Sequence, residues 1–186
     1  MAAALPISGL IAWQGLFDHA HLAPGQTVLI HGAAGGVGSI ATQLAWEVGA
    51  RVIGTGRADD RDVVLGLGAQ SFVDLEADDL RQVGEVDVVF DVVGGDVLAR
   101  STELVRAGGT VVTIVLPPTV QPRNGRAIFF VVEPDRAQLA DLAQRVRTGR
   151  LKPIVGAVRP LAETAAAFGR DRRTPGKTII EPVTNS

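Results

Sequence analysis

The run Val28-Leu-Ile-His-Gly-Ala-Ala-Gly-Gly-Val-Gly-Ser-Ile-Ala41 decides the fold of this 186-residue chain. It starts as an apolar strand, passes through a cluster of glycines and continues as a helical pattern. Glycines at a strand-to-helix turn keep the turn tight, let backbone N–H groups approach a diphosphate and let the helix pack closely on the strand. The helix N-terminus adds free donors and a partial positive charge facing the anion. Gly35, Gly36 and Gly38 suit these roles, with Val37 filling the space under the loop and the amides from Ala34 to Gly38 converging on the anion. Ala33 stands where the strict G-x-G-x-x-G pattern has its first glycine. No Gly-Lys-Ser/Thr follows the loop, which excludes the phosphate loop of nucleoside triphosphatases.

Working outward, short β-branched runs alternate with longer helical patterns, as in a parallel sheet covered by helices. Strands are expected at Thr27–His31, Arg51–Thr55, Ser71–Leu75, Val86–Val92 and Thr110–Val115, and helices at about Gly36–Val48, Asp59–Leu67, Ala77–Gln82 and Asp96–Arg106. The stretch Val86-Asp-Val-Val-Phe-Asp-Val-Val is apolar at nearly every position, which suits a strand buried on both faces. Gly49, Gly68 and Gly108 are placed to end helices in the left-handed conformation. The expected fold is therefore α/β: a doubly wound parallel sheet of the Rossmann type with helices on both faces.

Outside that rhythm, Leu5–Leu22 reads as an amphipathic helix with Pro6 in its first turn. Leu116–Gly125 is a Pro-rich loop followed by a strand over 127–132. Then come a helix (Asp135–Thr148), a Lys152-Pro turn, a helix (Ala162–Phe168) and a strand around Thr178–Glu181. Residues 1–155 are expected to form the dinucleotide-binding domain, and 156–186 a C-terminal helix and strand extension.

Composition narrows the function. The formal net charge is -2, with 18 basic and 20 acidic residues interspersed, so there is no electrostatic footprint for nucleic acid. No apolar run approaches the roughly 20 residues of a membrane-spanning helix. The start, Met1-Ala-Ala-Ala-Leu-Pro, has no basic segment before an apolar one, and the cytoplasm is the default compartment. There is no cysteine, hence no disulfide and no thiolate zinc site on this chain; there is no tyrosine, which removes a short-chain reductase with its Tyr/Lys pair.

NAD binding usually uses an acidic residue at the end of the second strand, about 20 residues beyond the glycines, to hold the ribose hydroxyls. Here the strand ends Gly-Thr-Gly56-Arg57. Gly56 leaves room for a 2′-phosphate and Arg57 can pair with it, with Arg61 one turn on, so NADPH is expected over NADH. Asp59 and Asp60 stand close by, placed to cap the next helix or to reach the ribose.

Several stretches, taken together and in order, resemble the zinc-independent quinone oxidoreductase branch of the medium-chain dehydrogenase/reductase superfamily. They are Leu5-Pro-Ile-Ser-Gly-Leu-Ile-Ala-Trp-Gln-Gly-Leu, His31-Gly-Ala-Ala-Gly-Gly-Val-Gly, Val52-Ile-Gly-Thr, Val89-Phe-Asp-Val-Val-Gly-Gly, Arg106-Ala-Gly-Gly-Thr-Val-Val and Pro175-Gly-Lys-Thr. The resemblance implies hydride transfer from NADPH to a quinone or an activated C=C or C=O bond, without zinc. It also implies a GroES-like substrate domain, most of which this sequence lacks, so that the chain reads as an excised domain or a truncated product and is expected to be inactive alone. By resemblance, the turn at Val93 and Gly94 and the strand end at Ile114 line the ribose and nicotinamide, and Phe129 and Phe130 sit by the carboxamide. Ile11 stands where the family commonly has threonine. The strand over 127–132 would pair with its twin in a homodimer.

No residue presents itself as an acid, base or nucleophile. His31 at a strand end reads as a packed or solvated histidine, His19 and His21 as partners of a helix end or of water, and Asp91 as a cap for neighbouring backbone. Arg170-Asp-Arg-Arg reads as a solvated face. A non-catalytic dinucleotide-binding sensor or interaction module stands as the alternative to an enzyme.

Overall fold

A computed structural model describes residues 2–167 and 175–182. Its elements are α1 (Pro6–Trp13), β1 (Thr27–Ile30), α2 (Gly38–Glu47), β2 (Arg51–Gly56), α3 (Arg61–Gly66), β3 (Ser71–Asp74), β4 (Val86–Asp91), α4 (Gly95–Ser101), β5 (Val105–Thr113), β6 (Arg126–Phe129), α5 (Arg136–Arg147), β7 (Val155–Pro160), α6 (Thr164–Ala167) and β8 (Lys177–Glu181). The first six strands form one sheet in the order β3-β2-β1-β4-β5-β6, parallel throughout. This is the doubly wound order whose reversal between β1 and β4 opens a crevice at the strands' carboxyl ends. β7 and β8 pair in parallel as a separate two-stranded sheet.

Strand alternation divides the core in two. Val28, Ile30, Val88, Phe90 and Val112 join Leu10, Leu16, Ile40, Leu44 and Leu142 from the α1, α2 and α5 side. Leu29, Ile53, Val89 and Val111 face the other way, onto Leu98 of α4 with Leu80 and Leu104. Every residue of β4 is buried, including Asp87 and Asp91, as suits a mostly apolar strand covered on both faces. No helix among the described residues is long and apolar enough to cross a membrane.

Several boundaries differ from the sequence reading. The helix expected over Leu5–Leu22 is α1 followed by a wider π-helical turn, Gln14–His19. The turn widens where the ring of Phe90 lies against Gly15, leaving no space for a side chain, and where the Gln14 amide clamps the backbone of Glu133, donating to its carbonyl at 2.8 Å and accepting from its N–H at 3.0 Å. The helix expected over Ala77–Gln82 is a short 3-10 turn, Leu80–Val83, capped by Asp79. The helix expected to reach Arg106 ends near Leu104, and β5 starts at Val105. Gly108 therefore ends no helix: it takes a φ of 80° inside β5, beside the register shift between Val86 and Val88, as a bulge requires. Gly49 and Gly68 do turn left-handed after α2 and α3.

The strand expected over 127–132 pairs only as far as Phe129, although the Phe130 N–H still reaches the Thr113 carbonyl at 3.4 Å. The strand at Val155–Pro160 was absent from the sequence reading, because Gly156 and Pro160 interrupt its pattern and most of its length is exposed. The helix expected over Ala162–Phe168 is a 3-10 turn and the short α6. Phe168 and the Arg170–Arg173 cluster lie outside the described residues.

Candidate functional site

A cavity of about 370 Å3 opens at the carboxyl ends of β1, β2, β4 and β5. One wall is the glycine-rich loop: Gly32, Ala34, Gly35, Gly36 and Val37 line it. Gly32, rather than the residue at Ala33, takes the left-handed conformation that turns the chain, with a φ of 68°. Ala33 is fully buried, packed towards Gly54, where a side chain would meet the Ala33 methyl at 3.0 Å. Gly38 starts α2 so close to β1 that any side chain would run into the Gly32 carbonyl. Gly35 donates to the Gly32 carbonyl and Ser39 to the Gly35 carbonyl, both at 2.9 Å, which locks the turn. The amides of Gly36 and Val37 have no hydrogen-bond partner among the described residues. Two free donors at a helix N-terminus, on a wall that a single Cβ would close, fit an anionic diphosphate.

The other side of this wall is built by distant sequence. Gly176 bridges Gly35 and donates to the Ala34 carbonyl at 3.0 Å. Lys177 then lays its stem across Gly36, where a Cβ would stand 2.7 Å from the lysine Cε. Lys177 is the one cation among the described residues lining the cavity. Pro175-Gly-Lys-Thr is part of the family resemblance, yet its own pattern points to no role at the cavity. No local pattern brings it to a loop some 140 positions earlier; only pairing of β8 with β7 does so.

The opposite wall is held by Asp91, which is fully buried. Its carboxylate accepts from the N–H of Val93 at 3.1 Å, from that of Gly94 at 2.9 Å, and from the Thr113 hydroxyl at 2.7 Å. Thr113 in turn accepts from the Val115 N–H at 3.2 Å. One carboxylate thus ties together the loops after β4 and β5, which present Val92, Val93 and Ile114 to the cavity. Gly94 lines an adjoining cavity of about 300 Å3 under the Pro-rich loop.

His31 is sealed beneath this floor. Its Nδ1 lies 2.9 Å from the Thr55 hydroxyl and its Nε2 2.6 Å from that of Ser101. Ser101 donates its own proton to the Val97 carbonyl at 2.7 Å, so it accepts from Nε2–H, and the Thr55 hydroxyl donates to Nδ1. Burial pushes the imidazole down to about 4, opposed by the nearby Asp91 and assisted by Arg100. The ring is neutral and packed, which suits positioning and not proton transfer.

At the end of β2, Gly56 is buried and Arg57 exposed. The Arg57 guanidinium pairs with Glu76 at 3.5 Å, and that of Arg61 with Asp78 at 4.0 Å while lying over the Phe72 ring. Asp60, not an arginine, lines the cavity. Phe129 and Phe130 are not brought to it. Phe129 is exposed on the sheet edge, and Phe130 stacks on His19 in a different cavity. Among the described residues no group of three or more His, Cys, Asp or Glu could hold a metal ion.

A parallel sheet in this order, with a glycine-lined cavity at its switch point, defines a Rossmann-type nucleotide-binding unit. The chain belongs to the zinc-binding dehydrogenase family, whose model matches residues 67–180, and forms the nucleotide-binding half of a medium-chain dehydrogenase/reductase. A 2-methylene-furan-3-one reductase of Solanum lycopersicum is 31% identical, over 98% of this chain and 47% of its own. The structure of a quinone oxidoreductase from Coxiella burnetii superposes with a TM-score of 0.86 at 30% identity, covering 96% of this chain and 59% of that one. A mycobacterial protein solved with NADPH superposes at 0.83 with 26% identity, over 97% and 62%. The chain spans 47% to 61% of the length of the curated relatives it first matches.

Proposed function

We propose that this chain is the dinucleotide-binding half of a cytoplasmic reductase that passes hydride from NADPH to a quinone or an activated C=C or C=O bond. The observation that carries this is the glycine-rich wall: the amides of Gly36 and Val37, unpartnered among the described residues, lie beside the Lys177 side chain, at the start of a helix where Gly38 admits no side chain. The reduced nicotinamide, when bound, supplies the hydride. The residues of this chain bind and orient it. Gly35 to Gly38 and Lys177 hold the diphosphate; Val92, Val93 and Ile114, fixed by Asp91, press on the ribose and nicotinamide side. Hydride transfer depends chiefly on such positioning.

The substrate pocket, on this reading, is completed by a GroES-like domain. Residues 1–155 form the nucleotide domain and 156–186 return to that second domain, with β7 at the junction. The exposed side chains of Val93 at this cavity and of Val115 and Leu116 at the adjoining one suit such a cover. Gly56 with Arg57 and Arg61 supports NADPH as the dinucleotide. The free edge of β6, with Phe129 and Val131 exposed, supports a homodimer joined edge to edge.

Calorimetric titration of the protein with NADPH and NADH tests the reading. Saturable binding of either is expected, together with quinone-dependent oxidation of NADPH by a form carrying the second domain. Failure to bind either dinucleotide sinks the proposal, and binding without turnover in the two-domain form favours a sensor.

A further inference from the structure

The sequence places a glycine and two arginines where a 2′-phosphate would sit, yet the structure puts a carboxylate there. Asp60 reaches back over the end of β2, and a Cβ on Gly56 would stand 2.7 Å from its Oδ2. The space that Gly56 leaves open is thus filled by Asp60. Oδ2 accepts from the Arg57 N–H at 3.1 Å, which orients the carboxylate, while Oδ1 has no hydrogen-bond partner among the described residues. Neither nearby guanidinium neutralises it, since Arg57 turns to Glu76 and Arg61 to Asp78. Asp59, its neighbour, is exposed and is not among the residues lining this cavity, which Asp60 is.

Resting on the dinucleotide reading above, we infer that Asp60 limits how far this site separates NADPH from NADH: its free oxygen accepts from the ribose 2′-hydroxyl of NADH and repels the 2′-phosphate of NADPH. A carboxylate accepting a hydroxyl proton is a charge-assisted bond, whereas a carboxylate facing a phosphate is a like-charge contact. For NADPH, Arg57 and Arg61 must leave Glu76 and Asp78 for the phosphate while Asp60 withdraws. For NADH nothing need move. The two effects oppose each other, and the preference for NADPH in the unmodified protein is held to less than about tenfold.

The test is a matched set of titrations with NADH, NADPH, AMP and 2′,5′-ADP on the unmodified protein, Asp60→Asn and Asp60→Ser. Both variants keep a side-chain oxygen for the Arg57 N–H, so the turn is retained. Asp60→Asn is expected to weaken NADH a few-fold and tighten NADPH, moving their affinity ratio by roughly tenfold, with the same shift between AMP and 2′,5′-ADP. Tight binding with an unchanged ratio overturns the role of Asp60 and leaves the dinucleotide reading intact. A parallel loss for all four ligands, with a lower melting temperature, overturns it too and assigns Asp60 to the turn. No binding of any ligand by the unmodified protein removes both proposals.

Discussion

The two ends of the cavity are built by opposite means. At the glycine-rich end, proposed to face the diphosphate, the wall is backbone on a turn locked by its own hydrogen bonds, with Gly38 pressed so close to the Gly32 carbonyl that no side chain fits. At the end of β2, proposed as the adenosine side, the cavity is lined by the Asp60 side chain, with the exposed Arg57 and Arg61 nearby, each with an acidic partner. The first kind of wall is rigid because altering it means moving β1 against α2. The second can be redrawn at little cost in stability, since exposed ion pairs are worth little. On the proposed reading, the first end holds the diphosphate and the second discriminates between dinucleotides.

That contrast is broken most forcefully at Gly38. Gly38→Ala drives a methyl into the Gly32 carbonyl, and neither backbone can yield without separating α2 from the sheet. The variant should lose about 3 kcal/mol or more of stability, read by urea unfolding, and should not bind dinucleotide. Unfolding indistinguishable from that of the unmodified protein would show that the cradle is not rigid.

The floor under the rigid end carries a titratable group, which gives a pH signature. His31 is held near 4 in the folded protein against 6.5 when free. Below 6.5 the unfolded chain takes up a proton that the folded one refuses, so stability is full above 6.5 and falls as pH drops towards 4. The loss approaches about 3 kcal/mol once pH is below both values. Urea unfolding at pH 7.5, 5.5 and 4 checks it, with His31→Gln as the comparison, since carboxylates titrate at the bottom of the same window. An equal slope in the two proteins between pH 6.5 and 5 would remove His31 as its cause.

Lys177 sharpens the comparison because it lends a charge to the backbone end. Lys177→Met keeps a stem across Gly36 but removes the ammonium. Affinity for either dinucleotide should fall by roughly tenfold, with melting temperature little changed and a weaker dependence on salt. A loss confined to NADPH would instead move the lysine to the adenosine side.

How much of this was legible in the sequence follows the same division. The parallel sheet and the glycine-rich turn were readable because Val28–Ala41 and Val86–Val92 carry their signal locally, in mostly apolar runs and in closely spaced glycines, whereas the strand order appears only in the structure. Ala33 looked like a departure from the fingerprint, but Gly32 performs the turn, a shift that only backbone angles reveal. Lys177 was not legible, since its role depends on a strand pair whose first member, Val155–Pro160, has no clear periodicity. Phe129 and Phe130 were placed by resemblance at the nicotinamide; in the structure the ladder stops at Phe129 and Phe130 turns to His19. Arg57 and Asp60 were both visible as candidates, yet one-dimensional order puts the arginine nearer the strand end, whereas the chain's turn carries the aspartate back over it.

Arg57 is therefore where the smallest effect is expected. Its side chain is 68% exposed and already shares Glu76. To meet a 2′-phosphate it exchanges one exposed anion for another, gaining only the difference between a carboxylate and a more highly charged phosphate in water. Arg57→Ala should weaken NADPH by a few-fold at low salt and leave NADH unchanged, the difference shrinking as ionic strength rises towards 0.15 M, where the Debye length is about 8 Å. Calorimetry at two salt concentrations measures it. A loss of a hundredfold would mean that binding buries the guanidinium against the phosphate, and that the adenosine end closes into a wall as rigid as the glycine loop.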